Sequence, residues 1–168
     1  HEKFSGKNIK YFDPELNQSY VPYVVETSIG LDRTFLSIMA GCYNEEVLEG
    51  GESRVVLSLP PALSPFKACI LPLVKKDGLP DKAREIMNEL KVDFKCGYDE
   101  KDSIGKRYRR QDAIGTPFCI TVDHQTMEDN CVTIRHRDSM QQDRVAIADL
   151  HKIIGDAVNM KNLFKKIV

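Results

Sequence analysis

The chain has 168 residues, 42% of them apolar and 29% charged, with a formal net charge of −1. That apolar fraction suffices for one ordinary core plus part of a second unit. The charge balance excludes a globally polybasic nucleic-acid binder, so any RNA contact must come from a local patch. No apolar run approaches the roughly 20 residues of a membrane span, and no signal peptide is visible.

Five cysteines, Cys42, Cys69, Cys96, Cys119 and Cys131, form no CxxC pair and are odd in number, which fits reduced core thiols. His124, His136 and His151 are scattered and make no zinc-ligand spacing.

In chain order, His1 to Gln18 is polar, with Gly6, an Asp13-Pro14 turn signal and only Ile9, Tyr11 and Phe12 as strand material, a weak hairpin arm. Tyr20 to Glu26, with β-branched Val24 and Val25, predicts a strand, and Thr27 to Gly30 a turn. From Leu31 the apolar residues recur as Leu31, Phe35, Ile38, Met39 and Cys42, an amphipathic helix. Charges gather at this strand-to-helix corner. Glu26 closes the strand, Ser28 lies in the turn, and Arg33 falls in the first helical turn, where the helix dipole disfavours a cation by a few tenths of a kcal/mol. A local Asp32 to Arg33 arrangement on a solvated helix end would account for this. Alternatively, Arg33 and the helix N-terminus face an anion such as phosphate while Glu26 faces a cation.

Asn44 to Glu52 is acidic, carries Gly50 and Gly51, and reads as an exposed linker, placing a domain boundary between about Glu49 and Ser53. An α/β alternation follows. Strands are predicted at Arg54 to Leu59, Ala68 to Val74, Val92 to Tyr98, Phe118 to Val122 and, antiparallel to the last, Cys131 to Arg137. Helices are predicted from Leu79 and Pro80 to Leu90, from Asp102 or Ser103 to Ala113 with Gly115 as terminator, and from Val145 to Val158 with a basic-apolar tail to Val168. On the last strand Val132, Ile134 and His136 should share one face, and Thr133, Arg135 and Arg137 the other.

Two clusters in this half invite a functional reading. Lys106, Arg107, Arg109 and Arg110 cover a broad arc of one helix, with Tyr108 turned to the sheet. They are either a solvated face or a phosphate contact whose binding would be salt-dependent. Thr116, Arg135, Arg137, Asp138, Ser139 and Met140 sit near strand ends and the following turn, either as a charged edge that blunts aggregation or as groups that read unpaired bases. Neither GxGxxG nor a P-loop is present, which argues against a general nucleotide-binding protein.

ETSIGLDR, residues 26 to 33, resembles motif 3 of the class II aminoacyl-tRNA synthetases in the form of the homodimeric glycyl enzymes, Glu-x-Ser-x-Gly-x-x-Arg, with Thr27 where the family usually has Pro. SGKNIKYFDPELNQSYVPYVVE, SPFKACILPLVKKDG, DSIGKRYRRQDAIGTPF and RDSM extend the similarity over nearly the whole chain. The resemblance implies that residues 1–52 are the end of a class II catalytic domain, a strand-helix remnant of its antiparallel sheet. Residues 53–168 would be an anticodon-binding domain, an α/β fold with a mixed sheet of about five strands and flanking helices. It further implies a glycine site at Glu26, Thr27, Ser28, Ile29 and Gly30, an ATP site at Gly30, Leu31, Asp32 and Arg33 with Arg33 catalytic, and tRNA contacts at Lys106, Arg107, Arg110, Thr116, Arg135, Arg137 and Asp138. No metal ligand is expected.

Such a parent is cytoplasmic and homodimeric, binds neither membrane nor DNA, and joins glycine to tRNA(Gly) with ATP as substrate and Mg, holding no tight cofactor. With His1 rather than Met first, and motifs 1 and 2 missing, the chain reads as a C-terminal piece that is inactive alone and mainly supplies anticodon recognition. The alternative is a non-catalytic RNA- or protein-binding module, against which Glu26, Ser28 and Arg33 together speak, since an adaptor needs no amino-acid pocket.

Overall fold

The computed structural model describes residues 1–48 and 50–165. Glu49, at the expected boundary, and 166–168, in the expected tail, lie outside the described residues. The chain divides into two compact units, His1–Thr34 and Phe35–Val168.

The first unit is sparse. A one-turn helix α1 (Glu2–Ser5) precedes an antiparallel hairpin of β1 (Tyr11–Asp13) and β2 (Gln18–Tyr20). The Asp13 carboxylate accepts the Glu15 and Leu16 amides in its turn, and Tyr11 meets Tyr20 edge-on at 6.0 Å. The strand expected over Tyr20 to Glu26 stops at Tyr20. No described strand pairs with residues 21–26, and Tyr23, Val24 and Val25 are at least four-fifths exposed. β-branched residues favour a strand only where a neighbour accepts their backbone bonds and side chains. The expected helix forms as α2 (Leu31–Cys42), with its first turn closed by the Thr34 amide and hydroxyl on the Gly30 carbonyl.

In the second unit the expected acidic linker is instead a hairpin. β3 (Tyr43–Val47) pairs antiparallel with β4 (Ser53–Leu57), Asn44 opposite Val56, and the turn uses Gly50 and Gly51 at positive φ. Charge made the segment look solvated, but only one face of a hairpin has to be buried, and Arg54 and Val56, two positions apart on β4, supply it.

A five-stranded mixed sheet comes next, in order β6-β5-β7-β8-β9. Its elements are β5 (Ala68–Pro72), α3 (Leu79–Leu90), β6 (Cys96–Tyr98), α4 (Ile104–Ile114), β7 (Phe118–Val122), the short α5 (Thr126–Asp129), β8 (Cys131–His136) and β9 (Gln142–Ala146). A 3-10 turn, α6 (Leu150–Val158) and α7 (Met160–Phe164) close the unit. β5, β6 and β7 are parallel, and β8 and β9 antiparallel to their neighbours. Five strands were expected, with one exchanged: Arg54 to Leu59 pairs outside this sheet, and Val145, assigned to the closing helix, sits in β9 opposite Val132. The third strand is shorter than expected because the chain from Val92 turns before Cys96.

One sheet face buries Ala68, Ile70, Ile120, Val122, Val132 and Ile134 against Leu79, Ala83, Ile86 and Leu90 of α3 and Leu150 and Ile154 of α6. The other face buries Cys69, Leu71 and Cys119 under Ile104 and Tyr108 of α4. The expected split of β8 is met: Val132 and Ile134 enter the first core, and Arg135 goes under α4.

Candidate functional site

β5 leaves the sheet into α3 on one face, and its neighbour β6 leaves into α4 on the other. The strand order reverses between β5 and β7, and in open sheets of this kind ligands bind in the crevice outside the carboxyl ends of the strands at such a reversal. The segments that follow β5 and β6 carry Lys75, Lys76 and Lys101, and the first turn of α4 carries Lys106, all exposed; Lys106 lies beside Glu52, Ser53 and Arg109. Among the described residues Lys75, Lys101 and Lys106 make no ion pair; Lys76 lies 4.0 Å from Asp77.

α4 starts at this end of the sheet. Arg107, expected at the surface, is buried. Its Nη1 donates to the Pro72 carbonyl at 2.6 Å and the Asp99 carbonyl at 3.4 Å, and its Nη2 to the Leu73 carbonyl at 3.2 Å. Its guanidinium is taken up by the carbonyls at the ends of β5 and β6 rather than presented at the surface. Arg110 donates Nε and Nη2 to Asp99 Oδ2 at 3.0 and 2.7 Å, Nη1 to Asp102 Oδ2 at 2.9 Å and Nη2 to the Lys101 carbonyl at 2.6 Å. Partial burial alone would raise the Asp99 carboxyl. The Lys101 amide and the Arg110 guanidinium outweigh it and hold the group below the ordinary carboxylate range. Arg109 turns away to Glu52 and the Ser53 carbonyl. Tyr108 faces the sheet as expected, its hydroxyl 2.7 Å from Thr121 Oγ1 and its ring beneath Arg135 at 4.8 Å.

The other expected tRNA residues do not lie at this end. Thr116, Arg137 and Asp138 lie at the opposite end of the sheet, where β7 begins and β8 ends. β7 has five residues, so at 3.3 Å per residue the two ends are about 13 Å apart. Thr116 is buried on Gln111. Arg135 is buried as a bidentate partner of Asp112, at 2.8 and 3.0 Å, and the same carboxylate takes Arg54 Nη1 at 3.1 Å. Arg137 is buried with its donors on the Gly115 and Leu59 carbonyls and on Asp138. These three arginines are internal ties rather than readers. Asp138, Ser139 and Met140 are exposed there, Asp138 beside a cleft of about 760 Å³ lined by Leu59, Pro60, Phe118, His136 and α6, with His136 edge-on to Phe118 at 5.4 Å.

Lys75, Lys76 and Lys101 were missed. The available signal was position, since each follows the carboxyl end of a strand, whereas the KRYRRQ cluster advertised itself by density alone.

In the first unit Glu26, Thr27, Ser28, Ile29, Gly30, Leu31, Asp32 and Arg33 are all exposed, and among the described residues Asp32 and Arg33 form no ion pair. A Cβ at Gly30 would meet no atom of the chain within 4 Å. Nothing inside the fold demands glycine there.

A five-stranded mixed sheet with helices on both faces defines a small α/β domain, the class to which the family comparison also assigns the chain. Residues 67–156 match the family described as "Anticodon binding domain", and the chain belongs to that family. It is 54% identical over 158 residues to the glycine–tRNA ligase of Clostridium tetani, covering 94% of this chain and 34% of that protein. It is 55% identical to the glycine–tRNA ligase of Clostridium perfringens (92% and 33%), and 51% identical over 145 residues to that of Chlorobaculum tepidum (86% and 31%). The chain spans about a third of the length of these curated relatives.

Proposed function

We propose that the chain is the C-terminal part of a glycine–tRNA ligase, with residues 53–168 as its tRNA anticodon-binding domain and residues 1–52 as the end of its catalytic domain. The observation that carries the tRNA reading is the set of exposed lysines that follow β5 and β6 and open α4. Unpaired bases of an anticodon loop are read by polar groups at such an edge, while Lys75, Lys101 and Lys106 take the backbone phosphates. Lys106 retains the role expected of it, Lys75 and Lys101 join it, and Arg110 acts behind them. A second reading, in which a base enters the cleft beside Phe118, His136 and Asp138, is favoured by that cleft's size and its aromatic lining.

In the catalytic role, the Glu26 carboxylate and Ser28 hydroxyl hold the glycine ammonium, Thr27, Ile29 and Gly30 shape a pocket with no room for a side chain, and Arg33 with the backbone from Gly30 to Asp32 meets the ATP phosphates. Arg33 stabilises the charge that builds on the α-phosphate as the carboxylate attacks. Exposure of all these groups, and of Leu31 and Phe35 on α2, suits packing against a larger catalytic sheet in a protein of the relatives' length. Magnesium would accompany the nucleotide as part of the substrate. The protein in this reading is a cytoplasmic homodimer; no described helix is long and apolar enough to cross a membrane.

Charge reversal tests the crevice reading. Lys101→Glu with Lys106→Glu should weaken tRNA(Gly) binding at least tenfold and reduce the dependence of log K on log salt by more than one. An unchanged affinity and slope would refute it.

A further inference from the structure

The loop of residues 99–102 joins the end of β6 to the start of α4, at the lysine-bearing end of the sheet, and it is held with unusual thoroughness. Arg107 takes the Asp99 carbonyl together with the two carbonyls that end β5. One helical turn later Arg110 takes the carboxylates of Asp99 and Asp102 and the Lys101 carbonyl. The Lys101 amide closes on Asp99 Oδ1 at 2.9 Å, and Asp102 sits at φ 67, a left-handed conformation that a non-glycine residue keeps only when its surroundings impose it. The arrangement also tolerates a defect: Arg107 Nε is buried with no partner, a cost of about 1–3 kcal/mol. Only the planar fork of an arginine spans carbonyls on two strands at once, and that requirement accounts for the orphaned donor. What the ties leave free is the Lys101 side chain, exposed and unpaired.

We propose that Arg107 and Arg110 are positioning residues for tRNA: they fix residues 99–102 in their binding shape before the RNA arrives, so that Lys101 meets the phosphate without the entropy of ordering the loop. This rests on the crevice reading above. Neither arginine touches the RNA.

The test compares the intact protein with Arg110→Gln and Lys101→Gln, titrating tRNA(Gly) over a range of salt and measuring amide hydrogen exchange in 99–103. Arg107→Met leaves three carbonyls without their donor and risks unfolding, so Arg110 carries the test. Arg110→Gln should weaken binding about tenfold at every salt, with the salt slope unchanged and the loop amides exchanging faster. Arg110→Lys should not rescue it, because an ammonium cannot bridge two carboxylates and a carbonyl. Lys101→Gln should instead flatten the slope by about 0.7–0.9, with loop exchange unaltered. A flattened slope in Arg110→Gln would make Arg110 a direct phosphate contact and overturn the proposal, as would a loosened loop with undiminished affinity. Failure of the crevice reading looks different: Lys101→Gln would then leave both affinity and slope at the unsubstituted values, and the positioning role would fall with it.

Discussion

A long side chain with a fixed charge serves equally as a hand for phosphate or as a strut inside a fold, and burial decides which. Of the arginines singled out by sequence, Arg107, Arg135 and Arg137 are struts, joined by Arg54, because each finds carbonyls or the Asp112 carboxylate within 3.4 Å. The same inner region holds Cys69 and Cys119, register partners on β5 and β7. Burial pushes the Cys69 thiol up to about 12, and drives Cys119 higher still. Unfolded thiols ionise near 9, so above that pH the unfolded chain releases protons that the native chain retains. The stability these thiols contribute is therefore complete below about pH 9 and falls as pH rises toward their native values, by about 1.4 kcal/mol per pH unit for each thiol. Urea midpoints of the native protein should drop between pH 9 and 10, and Cys69→Ala with Cys119→Ala should flatten that drop despite a lower starting stability. An equal drop in both proteins would show the thiols ionise natively. Residue chemistry was legible in the sequence here, as the apolar runs around both cysteines already marked them as core. The direction of each arginine was not, because it depends on partners elsewhere in the chain, such as the Pro72 carbonyl for Arg107, the Asp112 carboxylate for Arg135 and the Leu59 carbonyl for Arg137.

At the level of elements, the strongest local signals held. Gly115 ends α4 at φ +82, and its missing side chain admits the Leu57 carbonyl, which would stand 3.0 Å from a Cβ, with Leu59 Cδ1 at 3.3 Å. Gly105, in the first turn of the same helix, would meet nothing within 4 Å. Gly115→Ala should accordingly lose about 1–3 kcal/mol of unfolding free energy, from backbone strain and the displaced β4 together, while Gly105→Ala should be neutral or gain up to about 1 kcal/mol. Thermal unfolding of both variants checks this; equal effects would mean that β4 does not press on the end of α4. Periodicity found α3, α4, β5 and β7, whose burial is one-sided or complete, and α2, whose apolar stripe is mostly exposed. It missed the β3–β4 hairpin because Glu45 and Glu46 made β3 look solvated, although Glu46 pairs with the buried Arg54, and it gave Val145 to a helix because β9 is an edge strand with only its last residues half-buried. Tyr20 to Glu26 has strand composition with no pairing partner among the described residues, and composition cannot supply one.

Across the whole molecule, the α/β class and its membership in the anticodon-binding family follow from the alternation of buried strands with helices and from the quoted motifs. The location of the ligand edge does not follow from them. The proposed edge rests on topology instead: α3 and α4 leave the sheet on opposite faces, Lys75, Lys76 and Lys101 follow the carboxyl ends of β5 and β6, and Thr116, Arg135 and Arg137 are buried toward the other end. The measurement that tests this most directly is amide hydrogen exchange of the protein with and without tRNA(Gly). The crevice account predicts protection over residues 75–78 and 99–106 on binding. Protection confined to residues 59–62 and 136–138, with the lysine-bearing segments unchanged, would contradict it.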